Sequence, residues 1–447
     1  MPPSAADTPT LFALHGLGLS RRLFDALARE LDGAVDVIAL DLPGFGDEHE
    51  SPETSVEQMT ESVVRRIREH SARRWLIAGH SMGGRIASLV AERTMSGRSG
   101  LFGLAGVVLM AGSPLSPEPM DEERRRTMLD WVDDGPLDDD QARTFLDQNV
   151  GAPLPSALEQ QALADLRRTS PDAWREWLET GSRTDFSGDV SALPALLIAG
   201  GEDGDLGEDA QRRTNGRLYP RSRLVTFEGA GHLIPLERPV ELAAEIRAFW
   251  AQEAGTGPIV PGDASRAIAS ARTSSRVRAG LAERALSDDP DYQPQVLTSA
   301  QLTTLRAVAD RVVPQDGPPI DLAARVDAQL AEGTGDGWRN AELPADPVAY
   351  VLALDALAGF ESLADQDAAL RDLGTSARGA LSADQLTAWF EDCRVDLVRQ
   401  WLAHPATMAR VGYDGYATGG DTALIPGFRL LGAEEREPWE PTARSRR

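Results

Sequence analysis

Ser81 stands in the run Gly79-His80-Ser81-Met82-Gly83, the pattern G-x-S-x-G. A serine hydroxyl is a weak nucleophile at neutral pH, so it needs a base within hydrogen-bond reach and a carboxylate to orient that base. A sharp turn between a strand and a helix would expose such a serine. Glycine is needed two positions away on either side, because a side chain there would strike the neighbouring strand or helix. The chemistry this prepares is attack on a carbonyl carbon. An ordinary serine in a glycine-rich turn is the bland alternative, and the placement between an apolar strand and an amphipathic helix argues against it.

When a nucleophile of this kind sits on a sheet of parallel strands, the acid and then the histidine follow it along the chain, each in a loop after a strand. After Ala195 to Ala199 the chain reads Gly200-Gly201-Glu202-Asp203-Gly204-Asp205, and after Arg223 to Phe227 it reads Glu228-Gly229-Ala230-Gly231-His232. His232 has no rival between His80 and His404. Asp203 is the preferred acid, with Asp205 and Glu202 behind it. The negative charge formed on a carbonyl oxygen needs fixed donors, and the backbone N–H groups of Met82 and Leu17 are the expected pair. His15 is read as holding its own loop, His80 as pointing away from Ser81, and Asp41 as shaping the rim.

These residues need a frame. Leu11 to Leu14, Val35 to Leu42, Trp75 to Ala78, Leu104 to Met110, Ala195 to Ala199 and Arg223 to Phe227 are short apolar runs that predict six strands. Helical patterns lie between them: Arg22 to Leu31, a capping box at Ser55 and Gln58 opening a helix to His70, the helix from Met82, and Val240 to Trp250. Such β-α alternation calls for a doubly wound, mostly parallel α/β sheet. The alternation stops from Pro114 to Phe186, where polar helical sequence with Trp131, Trp174 and Trp177 predicts an inserted helical cap. Residues 253–296 lack a sustained period and read as a linker with one helix around Ser274 to Leu286. Beyond them, Ser299 to Val313, Leu322 to Leu330, Pro347 to Leu363, Asp365 to Leu373 and Ser382 to Ala403 predict an all-α domain over 297–447.

At 447 residues the chain suggests more than one domain. Its formal net charge of -25 makes nucleic acid and anionic membrane poor partners. The single cysteine, Cys393, excludes an internal disulfide framework. The six histidines show no metal-ligand spacing, and no metal or cofactor is expected. The opening M-P-P-S-A-A-D-T-P-T lacks the features of an export signal, and no apolar run is long enough to cross a bilayer. The expectation is a cytoplasmic enzyme.

The motifs together resemble the α/β-hydrolase superfamily over residues 10–252, within a first domain of 1–252 that carries the cap at 114–186. They are H-G-L-G at His15, D-L-P-G-F-G at Asp41, G-H-S-M-G-G at Gly79, G-G-E-D at Gly200 and G-A-G-H at Gly229. The resemblance implies hydrolysis of a small-molecule ester, thioester or lactone through an acyl-enzyme. Related serine members also cleave carbon-carbon bonds or make peracids. The acid loop departs from the usual pattern at Gly204-Asp205-Leu206-Gly207, which keeps Asp205 open beside Asp203.

Residues 297–445 resemble the small subunit of gluconate 2-dehydrogenase. The matching pieces are Leu297 to Pro314, His404-Pro405, Gly412-Tyr413 and G-F-R-L-L-G from Gly427 to Gly432. That resemblance implies a docking module for a flavin-dependent dehydrogenase. An accessory subunit with a vestigial hydrolase half is the alternative, and the complete set Ser81, Asp203 and His232 argues against it.

Overall fold

The six apolar runs become six strands in the computed structural model, which describes residues 8–70, 72–186, 188–334, 340–417 and 419–421. They are β1 (Thr10–Leu14), β2 (Asp36–Leu40), β3 (Trp75–His80), β4 (Leu104–Met110), β5 (Ala195–Gly200) and β6 (Ser222–Phe227). Every pairing is parallel, in the order β2-β1-β3-β4-β5-β6. The inner strands β3, β4 and β5 are buried along their length, and the edge strands β2 and β6 are partly exposed. That is why the inner runs are continuously apolar.

Crossover helices α1 (Asp25–Leu31), α2 (Val56–His70) and α3 (Met82–Met95) join the first four strands. Ser55 and Gln58 exchange the hydrogen bonds of the expected capping box at the start of α2. Strand order reverses between β1 and β3, so the loops after these two strands diverge and leave a crevice at their C-terminal ends. Leu17 lies in one of those loops and Ser81 in the other.

Between β4 and β5 the chain forms α4 (Glu122–Asp130), α5 (Asp139–Asn149), α6 (Ser156–Arg167) and α7 (Pro171–Glu176). Trp174 is fully buried among them, its ring 5.4 Å from Phe145 and 6.4 Å from Trp131. The short α8 (Glu208–Arg213) and α9 (Asn215–Leu218) precede β6, and α10 (Ile234–Glu237) and α11 (Pro239–Phe249) follow it.

The expected linker differs. Residues 259–286 belong to the same unit as the sheet, as α12 (Gly262–Ala269) and α13 (Ser275–Arg284). Arg278, buried in α13, donates to the carbonyls of Gly97, Ile268, Ser270 and Thr273. One arginine satisfying four carbonyls orders this stretch, and hydrophobic periodicity carries no trace of that. Residues 414–417 and 419–421 also belong here, where Asp421 accepts from the N–H and hydroxyl of Ser275 at 2.8 and 2.9 Å.

A second unit, residues 256–258 and 287–413, has its own core. It contains α14 (Ser299–Val312), α15 (Leu322–Glu332), α16 (Asp346–Ala356), α17 (Gln366–Arg371), α18 (Ala383–Ala403) and α19 (Pro405–Arg410). Among its described residues the only β-pairing is the bridge between Arg378 and Leu381. The helix expected over Pro347 to Leu363 stops early, because Gly359 turns left-handed with φ 83°. The buried carboxylate of Asp327 accepts from Tyr292 Oη and from the N–H groups of Gln295, Val296 and Leu297, which fixes the entry to α14. The G-F-R-L-L-G run at Gly427 lies outside the described residues.

Candidate active site

Ser81 joins β3 to α3 with φ 51° and ψ −123°, a left-handed backbone for a residue that has a Cβ. The two flanking glycines make this turn feasible. A Cβ at Gly79 would lie 2.3 Å from the carbonyl oxygen of Gly83, and one at Gly83 would lie 2.3 Å from that of Leu14. The loop after β1 closes on the turn, since a Cβ on Gly16 would lie 3.0 Å from the Cβ of Ser81. Met82 is the first residue of α3 and Leu17 lies in that loop, both buried. Neither backbone N–H donates to another described residue, so both remain available to an incoming oxygen.

His232 follows β6, and its Nδ1 lies 2.7 Å from Asp203 Oδ2, with the two side chains 13% and 4% exposed. Asp203 Oδ1 accepts from the N–H groups of Asp205 and Leu206, each at 3.0 Å. Burial pushes the Asp203 carboxyl up, and the His232 charge with these hydrogen bonds outweighs it, holding the group well below the usual carboxylate range. Burial pulls His232 down, and the charges of Asp203 and Glu118 outweigh it, so the imidazole stands above its ordinary value of 6.5. With Nδ1–H donating to Asp203, Nε2 carries the lone pair that a base needs.

The three acidic residues of this loop have different partners. Asp205 pairs with Arg124 of α4 in the cap, and Glu202 is exposed, so Asp203 alone of the three holds the imidazole.

His80 has a larger part than its sequence position suggests. Its Nε2–H donates to the carbonyl of His232 at 2.8 Å, and the two rings sit 4.9 Å apart. Burial first, then the charge on His232, lowers its pKa to about 3, which keeps it neutral. It thereby joins the residue beside Ser81 to the loop that carries His232. His15 accepts from the Leu42 N–H at 3.0 Å and donates from Nδ1 to the Gly16 carbonyl at 2.8 Å, tying the loops after β1 and β2. Asp41 accepts from the N–H groups of Arg21 and Asp47.

Three further polar groups escaped sequence reasoning. The main-chain carbonyl of Asn149, ending α5, accepts from the N–H of His232 at 2.8 Å and of Leu233 at 3.1 Å, so the cap holds the histidine loop directly. Arg85, four residues after Ser81 and fully buried, donates to the carbonyls of Ser116, Gly181 and Thr184 at both ends of the cap. Its guanidinium lies 5.5 Å from the Trp177 ring and 5.7 Å from that of Phe186. The signal for Arg85 was available: a charged residue inside the otherwise apolar start of α3. Glu118, buried just beyond β4, accepts from Ser113 Oγ at 2.5 Å.

The described residues hold no group of three or more His, Cys, Asp or Glu able to bind a metal ion. No described helix is long and apolar enough to cross a membrane.

Residues 11–245 match the model of the alpha/beta hydrolase family, and the chain belongs to that family. Over 251 residues it is 29% identical to a pimeloyl-[acyl-carrier protein] methyl ester esterase of Neisseria meningitidis serogroup A, covering 54% of this chain and 76% of that protein. Over 267 residues it is 29% identical to a 2-succinyl-6-hydroxy-2,4-cyclohexadiene-1-carboxylate synthase of Serratia proteamaculans, covering 55% and 94%. A solved esterase of Thermogutta terrifontis superposes with a TM-score of 0.44 at 23% identity, covering 55% of this chain and 90% of that one. The family match ends at residue 245, short of the second unit.

Proposed function

We propose that the chain is a serine hydrolase of carboxylic esters, extending to thioesters and lactones, that works through an acyl-enzyme. The observation that carries this is the Asp203–His232 pair, whose histidine loop is hydrogen-bonded to the residue beside the strained Ser81. In this reading His232 Nε2 takes the Ser81 proton as Oγ attacks the carbonyl carbon, and Asp203 supports the imidazolium that forms. The N–H groups of Leu17 and Met82 receive the oxyanion, each worth about 3 to 4 kcal/mol in the transition state. Protonated His232 then delivers its proton to the leaving alkoxide, and water repeats the sequence to release the acid. The relative named as a methyl ester esterase supports the ester as substrate.

Ser81→Ala tests this. Turnover of simple aryl esters should fall by roughly 10⁶-fold, and labelling by a serine-directed phosphonate should vanish. Labelling that persists in the variant would overturn the assignment.

For residues 297–447 we propose a docking role toward a flavin-dependent dehydrogenase subunit. Val395, Val398 and Leu402 support a binding face, since they lie at i, i+3 and i+7 on α18 and stay 53%, 39% and 39% exposed.

A further inference from the structure

The Asp203–His232 pair is held from the cap as well as from the sheet. Arg124, on α4, donates to the carboxylate of Asp205 in the loop after β5 and, through Nη2, to the side-chain oxygen of Asn149 at 3.3 Å. Asn149 ends α5, and its main-chain carbonyl accepts from the His232 N–H at 2.8 Å. Asp205 in turn donates its own N–H to Asp203 Oδ1 at 3.0 Å, and Asp203 Oδ2 receives His232 Nδ1–H at 2.7 Å. The contacts close a ring that runs from Asp203 through Asp205, Arg124, Asn149 and His232 back to Asp203. Arg124 and Asn149 bring the cap into it.

The chain just after α5 lies hard against the histidine loop. A Cβ on Gly231 would lie 2.5 Å from the Gly151 nitrogen, and the Glu237 carboxylate accepts from the N–H groups of Gly151 at 2.8 Å and Gly231 at 3.0 Å. This backbone contact does not involve Arg124. What Arg124 adds is a brace between the acid loop and α5. An ion pair whose side chains are both 29% exposed adds little to stability, so its value lies in geometry. Misplacing a reacting group by about 1 Å can cost on the order of 10²-fold in rate.

We propose that Arg124 is a positioning residue of the active site, a cap arginine that sets the Asp203–His232 geometry by bracing the acid loop against the end of α5. It acts through Asp205 on the acid and through Asn149 on the base. The consequence is that the base is fully aligned only while α4 is seated: if α4 lifts, the ring opens and both loops lose the same support. This rests on Asp203 and His232 being the working acid and base.

The test reads the hydrogen bond that the ring encloses. In protein labelled with 15N-histidine, the low-field Nδ1–H proton of His232 is assigned by its loss in His232→Gln. Arg124→Met should move that resonance upfield and speed its exchange with water by roughly tenfold, and kcat on an aryl ester should fall by roughly tenfold, beyond any change in KM. Arg124→Lys keeps the charge but cannot span both acceptors with a planar fork, so it should recover only part of each effect. Arg168, which ends α6 and pairs with Asp47 at 3.2 Å, is a cap link outside the ring. Arg168→Met should leave the proton where it is.

A proton unchanged in folded Arg124→Met would overturn the proposal. So would an equal displacement in Arg168→Met, which would reduce the effect to a loosened cap, or full recovery in Arg124→Lys, which would reduce it to charge. Should Arg124→Met fail to fold, Arg124→Gln takes its place with the same expectation. The proton is read without turnover, so inertness toward esters would defeat the hydrolase reading and leave this result to stand or fall separately.

Discussion

Asp203 and Asp205 are two residues apart and chemically identical, yet they do different work. Asp203 receives His232 Nδ1–H and two backbone N–H groups, and Asp205 reaches out to Arg124 in the cap. Asp203→Asn should therefore lower kcat by roughly 10⁴-fold, since the amide leaves the imidazole in the wrong tautomer. Asp205→Asn should change kcat by no more than several-fold and act mainly on KM through the cap; steady-state kinetics on one ester separates the two. The pair also sets a stability window. His232, raised in the folded state, contributes stability that is full below its unfolded pKa of about 6.5 and lost as pH rises through the folded value. Asp203, depressed, contributes stability that is full above about 3.9 and lost as pH falls through its folded value. The shared contribution is thus largest between about pH 4 and 6.5, and His232→Gln should lower the thermal midpoint more at pH 5 than at pH 9.

At the scale of elements, the cap is fastened to the sheet by buried polar links. Ser20 donates to the buried Asp165 of α6 at 2.6 Å, the Ser170 N–H donates to the Gly44 carbonyl at 3.0 Å, and Arg85 gathers three carbonyls from both ends of the cap. Arg85 is costly to bury, and its pKa falls to about 10 chiefly for that reason. Its removal leaves those carbonyls unsatisfied. Arg85→Met should destabilise the protein by about 3 kcal/mol, read as a lower urea midpoint, and Arg85→Lys should recover only part of this because an ammonium cannot span three acceptors in a planar fork. These links end on backbone carbonyls or on partners far away in sequence, which explains why the cap's helices were legible and its attachments were not.

At the scale of the molecule, two cores divide the chain. The first carries the family match and the candidate site. The second carries the exposed row on α18, with Val411 and Tyr413 also 55% and 50% exposed. If that row docks a flavin-dependent dehydrogenase subunit, the full chain purified from its native cells should bring with it a yellow flavoprotein, and Val398→Asp with Leu402→Asp should release it while ester turnover persists. Copurification that survives both substitutions would remove α18 as the binding face.

The sequence by itself determined the strands, their alternation with helices and the motif at each strand end, because parallel sheets demand continuous apolar runs and sharp turns demand glycine. It also determined Ser81 and His232 as candidates, since only one serine occupied such a turn and only one histidine followed it in reach. That Asp203 and not Asp205 contacts His232 needed the tertiary structure, because side-chain direction within a short loop has no sequence signature. So did the burial of Glu118, Arg85 and Arg278, and the packing of residues 259–286 onto the first unit. Those depend on backbone carbonyls brought together from distant segments, which every residue type possesses alike, and only folding decides which of them a buried charge will meet.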